Sequence, residues 1–367
     1  AGFRNTKVNA VYFKDLIKNI TVQPALVVNT IKDGKHFWKI NDNENMKFDA
    51  IVGNPPYQIM DGGNGASATP VYNLFVELAK KLSPSYISMI TPSKWFAGGK
   101  GLDSFRESMK NDTRIQKIID FANAKDCFPS ASIGGGVNYF LWDSKYSGPC
   151  EFNNLYGGQK VTSSRYLKDF NILIRFNESV KILNKVKSLN EDSLMKIVSL
   201  RNPFDLATKV RGNKEPLKGS IRLVTSSGDN YITPTSSILK NQYYNKYKVL
   251  LSRSTAEHAG EPDSNGKYRI LSRMEILMPK EICTDTYLLI GCFNNKAEVT
   301  NLYKYLKTKF ARFILLQSIS SISLSKEKFA LVPVQDFHKS WTDEELYKKY
   351  NLSENEISFI ESMIKPI

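Results

Sequence analysis

The stretch FDAIVGNPPYQ (Phe48–Gln58) is the most informative part of this 367-residue chain for its fold. Its apolar residues 48–53 predict a short buried strand, which the sequence Asn-Pro-Pro-Tyr at residues 54–57 brings to an end. Two consecutive prolines fix two φ angles and remove two backbone donors, and each proline keeps the residue before it out of helical space. The sequence therefore predicts a rigid arch with free carbonyl acceptors directly after a strand.

The arch combines hydrogen-bond acceptors with an aromatic ring. The side-chain oxygen of Asn54 and the carbonyl of Pro55 are two acceptors, and Tyr57 follows after Pro56. We expect this set to hold a planar ring that carries an exocyclic amine, with both amine hydrogens accepted and the ring stacked. Accepting both N–H groups concentrates the nitrogen lone pair, so that it can attack an electrophilic methyl group. A base in duplex DNA would have to flip out of the stack to reach such a site.

The sequence after the arch alternates helical and strand patterns. Apolar spacing predicts a helix from residue 71 to 82 and another around 102–110, and β-prone runs predict strands at 86–91, 115–121 and 137–142. This alternation predicts an α/β fold with a doubly wound sheet, in which ligands bind at the C-terminal ends of the strands. Residues 54–57 stand at such an end. The Gly-, Ser- and Asn-rich segment 144–160 is the expected connection to the second part of the chain.

The sequence predicts three parts. Residues 1–175 form the α/β domain with the Asn-Pro-Pro-Tyr arch, residues 176–335 form an α+β domain of short strands and a basic helical stretch, and residues 336–367 form a helical hairpin. The two helices of the hairpin begin at capping boxes, in which Thr342 pairs with Glu345 and Ser353 pairs with Glu356.

The chain carries a formal net charge of +15. Residues 1–150 contribute +5 and the remainder +10, so the surplus lies mainly in the C-terminal part. This distribution favours contact with a polyanion, although many basic proteins bind none. The candidate DNA-contacting residues lie in or beside predicted turns of the second part: Lys209, Arg211, Lys214, Arg253 and Arg273.

Cysteine and histidine spacing predicts neither a metal site nor a disulfide framework. The four cysteines show no Cys-x-x-Cys spacing, and the three histidines lie far apart in the sequence. Reduced thiols and a cytoplasmic location are expected. The apolar runs are far shorter than the ~20 residues of a membrane span, so no membrane partner is expected.

The arch resembles the catalytic motif of adenine-specific amino-methyltransferases. TPVYNLFVELAKKLSPSYISMITPSKWF (69–96) and CFPSASIGGGVNYFLWD (127–143) resemble the segments that follow this motif in the gamma-class DNA methyltransferases of bacterial restriction–modification systems, type II and type IIG. The basic second half resembles their target-recognition region. The resemblance covers residues 48–143 strongly and 196–367 more loosely.

The resemblance implies a function and a set of site residues. The family uses S-adenosylmethionine to methylate adenine N6 in a specific DNA sequence, after flipping the base into the pocket. Asn54, Pro55, Pro56 and Tyr57 would form the catalytic arch, and Phe128 would supply a second stacking ring beside Tyr57. Double-stranded DNA is the implied partner, the bacterial nucleoid the implied location, and a restriction endonuclease, fused or separate, a further partner.

One departure from the family concerns the cofactor. The family binds S-adenosylmethionine through a Gly-containing loop and an acidic residue that precede the Asn-Pro-Pro-Tyr strand, and none of the residues before Asn54 resembles that loop. The run IGGGVNYF leads into a strand and not a helix, so it is no substitute. We therefore expect that the N-terminal cofactor-binding section is missing from this chain and that the chain alone binds S-adenosylmethionine weakly or not at all.

Two other functions remain compatible with the sequence. The same motif occurs in enzymes that methylate a glutamine amide in a protein or a base amine in RNA, although the long basic second half and the Phe128 segment favour DNA. The chain could also be a DNA-specificity fragment without activity of its own, which the absence of the glycine loop favours.

Overall fold

The computed structural model describes residues 10–38, 46–60, 68–131, 133–256, 262–263 and 265–367. The chain divides into two compact units, residues 1–95 with 99–173 and residues 96–98 with 174–367. Both units combine helices with strands, so the predicted mixed α/β class is confirmed. Within the described ranges, no helix has the length and apolar character needed to cross a membrane.

The described part of the first unit is built on a six-stranded mixed sheet. Its elements are α1 (Leu16–Val22), α2 (Pro24–Lys32), β1 (Ala50–Gly53), β2 (Gln58–Met60), β3 (Ala68–Pro70), α3 (Tyr72–Leu82), β4 (Tyr86–Pro92), α4 (Asp103–Asn111), β5 (Ile115–Phe121), β6 (Val137–Asp143), β7 (Cys150–Tyr156) and β8 (Gln159–Arg165). The strand order in the sheet is β1-β4-β6-β5-β7-β8. The pairs β1/β4 and β5/β7 are parallel, and the other neighbouring pairs are antiparallel. A separate antiparallel pair, β2/β3, follows the arch.

The helices and strands predicted after the arch are confirmed to within a residue or two. The strand that precedes the arch differs from the prediction, because β1 lies at an edge of the sheet and is not buried. Its Ile51 packs against a cluster formed by α1, α2 and α3, whereas Val52 on the opposite face is 77% exposed. The apolar residues of segment 48–53 therefore belong to a strand with one packed face and one exposed face.

Segment 144–160, predicted as a connection, forms part of the sheet. It contains β7 and the start of β8, which pair antiparallel across the two-residue turn Gly157-Gly158. Both glycines have positive φ, +55° and +74°, as the tight turn between two twisted strands requires. The glycines that suggested a linker are therefore a hairpin turn, and the prediction was wrong.

The described residues of the second unit form two three-stranded sheets. The elements are α5 (Asn177–Ser188), β9 (Ile221–Thr225), β10 (Gly228–Ile232), α6 (Ser236–Leu239), β11 (Tyr247–Ser252), β12 (Met274–Leu277), β13 (Ile282–Cys283), β14 (Tyr287–Phe293), α7 (Lys296–Lys307), α8 (Lys309–Leu316), α9 (Asp343–Lys349) and α10 (Glu354–Met363). The strand orders are β10-β9-β13 and β12-β11-β14. Both sheets contribute to one core, in which Leu223, Leu250 and Leu289 are fully buried.

The C-terminal helices begin where the sequence predicts. Both capping boxes are formed, with the Thr342 side chain accepting from the Glu345 backbone and the Ser353 side chain accepting from the Glu356 backbone. The basic stretch before them is less exposed than its composition suggests. Arg312 in α8 is only 2% exposed, and its guanidinium donates to backbone carbonyls, among them that of Lys365 at 2.6 Å.

Candidate active site

The Asn-Pro-Pro-Tyr arch is attached to the protein at both ends. Asn54 follows β1 directly, and Gln58 at the other end begins β2 and pairs with Pro70 of β3. The backbone N–H of Val71, the residue before helix α3, donates to the carbonyl of Tyr57 at 3.2 Å. The position of the Tyr57 backbone is therefore set by the start of a helix, and the two prolines leave the arch little freedom between these attachments.

The arch forms one wall of a cavity of about 460 Å³, within the ~300–1,000 Å³ typical of small-molecule pockets. Phe128, on the segment that follows β5, lines the same cavity. The structure thus brings together the five residues that the sequence predicts for the catalytic arch and the second stacking ring. The lining consists of Asn54, Pro55, Pro56, Tyr57, Gln58, Phe128, Ala131 and Ile133.

Asn54 at one end of the arch is exposed, and the ring at the other end is partly buried. The Asn54 side chain is exposed, Pro55 is buried, and Tyr57 and Phe128 are half-buried. The Tyr57 hydroxyl is buried and has no hydrogen-bond partner among the described residues. Burial raises the pKa of Tyr57, with a smaller contribution from neighbouring Cys127, so the phenol stays neutral at physiological pH.

Phe128 is held by a local turn that starts from the sheet. The backbone N–H of Phe128 donates to the carbonyl of buried Ala124 at 2.7 Å, and the N–H of Ala131 donates to the carbonyl of Phe128 at 3.0 Å. Asn123 caps the short 3-10 helix at the start of this turn. Gln58, Ala131 and Ile133 are the lining residues that sequence reasoning missed. Their only signal in the sequence is that they adjoin Tyr57 and Phe128.

The glycine clusters of the described residues do not form a nucleotide cradle. A side chain at Gly98 would meet the hydroxyl of Ser320, and a side chain at Gly99 would meet Leu102, so protein atoms already occupy these spaces. Gly135 and Gly136, both with positive φ, turn the chain into strand β6 and not into a helix N-terminus. Gly98, Gly99, Gly135 and Gly136 therefore do not form a Gly-containing loop of the kind expected for S-adenosylmethionine. The described residues also include no cluster of His, Cys, Asp or Glu that could hold a metal ion.

Three of the predicted DNA-contacting residues lie in one exposed segment. Lys209, Arg211 and Lys214 are all exposed and fall between α5 and β9, in a stretch without regular secondary structure. The Arg211 guanidinium donates to the carbonyls of Thr208 and Val210 at 2.6 and 2.9 Å, which orders the segment locally. We name residues 207–219 the basic loop.

The other two predicted DNA-contacting residues are engaged in ion pairs. Arg253 contacts Asp285 at 3.1 Å, and Arg273 contacts Asp229 and Glu275 at 3.3 and 3.1 Å. The pKa of Asp285 is lowered, first by its hydrogen bonds from Arg201 and also by Arg253. These two guanidinium groups therefore have carboxylate partners, whereas the Arg211 guanidinium of the basic loop donates to backbone carbonyls.

The first part of the chain is similar to known methylases. Residues 1–128 match the model of the Eco57I restriction-modification methylase family. An uncharacterized adenine-specific methylase of Mycoplasma pneumoniae is 35% identical over 156 residues, covering 41% of this chain and 36% of that protein. The resemblance to restriction–modification adenine methylases that the sequence suggests is confirmed. The chain spans about a third of the length of this methylase relative.

Two solved restriction–modification enzymes resemble the chain as structures. The type IIG restriction endonuclease BpuSI is 12% identical, with a TM-score of 0.35, over 86% of this chain and 53% of that chain. The type IIL restriction-modification enzyme MmeI, solved in complex with DNA, is 9% identical, with a TM-score of 0.44, over 77% of this chain and 46% of that chain.

Proposed function

We propose that this chain holds the target base of a restriction–modification methylase that transfers a methyl group to adenine N6 in a specific sequence of double-stranded DNA. The observation that carries the proposal is the cavity of about 460 Å³ lined by both the Asn-Pro-Pro-Tyr arch and Phe128. The family match of residues 1–128, which include both, supports a methylase, and the Mycoplasma relative supports adenine as the acceptor base.

The proposed chemistry needs two acceptors and two aromatic walls. Asn54 Oδ1 and the Pro55 carbonyl accept the two hydrogens of the adenine amine, which concentrates the nitrogen lone pair for attack on a methyl group. Tyr57 and Phe128 contact the faces of the ring, since base–aromatic stacking contributes about 1–3 kcal/mol per base. The base reaches them by flipping out of the duplex, because its amine is inaccessible within the stack.

The second unit is proposed to position the DNA. The exposed Lys209, Arg211 and Lys214 of the basic loop contact phosphates, which orients a duplex without reading its sequence. Arg253 and Arg273, with their carboxylate partners, contribute to DNA binding only if DNA phosphates displace these ion pairs. The net charge of +10 in the part of the chain beyond residue 150 supports binding to a polyanion.

The methyl donor is proposed to be S-adenosylmethionine, as in methylases generally, bound largely by residues other than those described. Gly98 and Gly99 are packed against Ser320 and Leu102, and Gly135 and Gly136 lead into a strand. The proposed role of the described residues is therefore to hold and activate the methyl acceptor.

The proposed function is tested by the product that the intact methylase makes. The protein is expressed in a bacterial host that lacks adenine methylation, and the nucleosides of the host DNA are quantified by mass spectrometry. We expect N6-methyladenine in the DNA of cells with the wild-type protein and none in cells with an empty vector. Methyl groups found only in RNA or on protein glutamine would overturn the proposal in favour of those substrates.

A further inference from the structure

A row of buried polar side chains crosses the six-stranded sheet of the first unit. Thr91 on β4 lies opposite Asn138 on β6, Asn138 lies opposite Asp120 on β5, and Asp120 lies opposite Asn154 on β7. Directly opposite residues on neighbouring strands point to the same face of a sheet. All four residues are at most 1% exposed. Burying polar groups costs free energy unless they are hydrogen-bonded. The hydrogen bonds of these four residues therefore indicate which parts of the structure they connect.

Ser93, the residue after β4, connects the row to a neighbouring segment. The Ser93 hydroxyl donates to Asp120 Oδ1 at 2.6 Å, a short hydrogen bond of the kind that carboxylates make. Asn138 Nδ2 donates to Ser93 Oγ at 3.2 Å and to the Thr91 carbonyl at 3.2 Å. On the other side, Asn154 Nδ2 donates to Asp120 Oδ2 at 3.5 Å. The two oxygens of one carboxylate therefore join the end of β4 to β7 through β5.

The row lies at the base of the segment that carries Phe128. We name residues 122–136 the pocket loop. It leaves the sheet just after Asp120, returns just before Asn138, and contributes Phe128, Ala131 and Ile133 to the cavity. The backbone N–H of Ser93 also donates to the carbonyl of Gly136 at 3.0 Å, at the returning end of the loop.

The same hydrogen bonds reach towards the other wall of the cavity. Ser93 follows β4, and β4 is the parallel neighbour of β1, whose end carries Asn54. The C-terminal ends of parallel neighbours lie at the same edge of a sheet. Asp120 therefore ties the base of the pocket loop to the strand beside the arch, although Asp120 is not part of the cavity lining.

We infer that Asp120 is a positioning residue for the base-binding cavity, which through Ser93 and Asn138 holds the pocket loop, and with it Phe128, at a fixed distance from the Asn54–Tyr57 arch. The inference deepens the proposed function and rests on it, because the position of Phe128 matters only if its ring contacts the base. It adds a buried carboxylate, outside the cavity, to the residues on which base binding depends.

Replacing Asp120 by asparagine isolates this role, because the shape is kept and the hydrogen-bond pattern is not. The amide nitrogen of the new side chain would face either Asn154 Nδ2, which is also a donor, or Ser93 Oγ, whose hydroxyl would then lose its acceptor at position 120. The exchange Asp120→Asn with Asn154→Asp restores one carboxylate and one amide to the row. Ile118→Val is a matched control, since Ile118 is fully buried on the same face of the same strand and makes no side-chain hydrogen bonds.

The experiment places 4-fluorophenylalanine at position 128 and records its ¹⁹F resonance in the full chain without DNA. We expect a single narrow resonance in the wild type and in Ile118→Val, a broadened or split resonance in Asp120→Asn, and a narrow one again in the exchange variant. Ser93→Ala should behave like Asp120→Asn, and it carries the test if Asp120→Asn does not fold.

An unchanged resonance in Asp120→Asn, an equal change in Ile118→Val, or no recovery in the exchange variant would each overturn the inference. The measurement requires neither DNA nor methyl donor, so it separates the inference from the function on which it rests. A wild-type protein that shows the expected spectra but forms no N6-methyladenine would overturn the proposed function instead.

Discussion

Tyr57 and Phe128 line the same cavity, although one follows strand β1 and the other follows strand β5. A hydrogen bond fixes the backbone at each of the two residues. The Val71 N–H donates to the Tyr57 carbonyl at 3.2 Å, and the Phe128 N–H donates to the Ala124 carbonyl at 2.7 Å. The two rings therefore reach one site from two different segments of the chain. Their contributions to binding should be separable by mutation.

We expect methylation to depend on the aromatic ring of Tyr57 and not on its hydroxyl. Tyr57→Phe keeps the aromatic face and removes a buried hydroxyl that has no partner among the described residues, and leaving such a group unpaired costs about 1–3 kcal/mol. We expect Tyr57→Phe to retain methylation and to raise the free energy of unfolding by about 1 kcal/mol, measured by denaturant titration.

Tyr305→Phe is a control for which we expect the opposite change in the free energy of unfolding. The hydroxyl of Tyr305 is fully buried and donates to the Pro333 carbonyl at 2.8 Å. Tyr305→Phe leaves that carbonyl unpaired, so it should lower the free energy of unfolding by about 1–3 kcal/mol. A loss of methylation in Tyr57→Phe would mean that the phenol contacts the substrate and that its lack of a partner is a feature of the free protein.

Phe128 is expected to contribute through stacking. Phe128→Ala removes an aromatic wall of the cavity, and a base–aromatic stack contributes about 1–3 kcal/mol, which corresponds to a fall of about 5–160-fold in kcat/KM for methylation. Phe128→Tyr keeps the ring and should behave like the wild type. Equal activity of Phe128→Ala and Phe128→Tyr would show that the ring does not contact the base.

The geometry of the arch was predictable from the sequence because its residues are consecutive. Asn54 to Tyr57 are consecutive, so their mutual geometry follows from two prolines and a preceding strand, both of which are visible in the chain. The capping boxes at Thr342 and Ser353 were predictable for the same reason, since a capping box is completed within four residues.

The features that sequence reasoning missed depend on distant partners. The burial of β1 depends on which elements cover its two faces, and Val52 is 77% exposed on the face opposite Ile51, which packs against α1, α2 and α3. Gly157 and Gly158 join two strands of one sheet, although the same residues are typical of a linker. The row of polar residues around Asp120 becomes apparent only in the register of four strands.

The basic loop is expected to carry part of the salt dependence of DNA binding. Each phosphate contact contributes about 0.9 to the slope of log K against log salt concentration, so the combined change of Lys209, Arg211 and Lys214 to Ala should lower this slope by up to about 3. Binding to random-sequence duplex DNA, measured by fluorescence anisotropy at several salt concentrations, gives the slope.

The control for the basic loop removes the same amount of charge elsewhere in the second unit. Lys181, Lys304 and Lys348 are exposed residues on helices α5, α7 and α9. Changing them together to Ala should reduce the slope much less. If the two triple variants weaken DNA binding equally, the net charge of the unit, and not the basic loop, determines binding.

The chain alone is expected to bind S-adenosylmethionine weakly or not at all. The spaces beside Gly98 and Gly99 are occupied by Ser320 and Leu102, and Gly135 and Gly136 lead into a strand. Isothermal titration calorimetry with S-adenosylmethionine should therefore show little or no heat of binding. A dissociation constant in the micromolar range or below would mean that residues of this chain do form a cofactor site.

The central claim is that Asn54 accepts a hydrogen from the adenine amine, and Asn54→Ala tests it most directly. Asn111→Ala is the matched control, because Asn111 is an exposed amide on α4 outside the cavity lining. Both variants of the intact methylase are compared with the wild type by the amount of N6-methyladenine in host DNA and by the affinity of the purified proteins for DNA. We predict that Asn54→Ala forms no N6-methyladenine while it still binds DNA, and that Asn111→Ala matches the wild type in both. Wild-type levels of N6-methyladenine in Asn54→Ala would contradict the account.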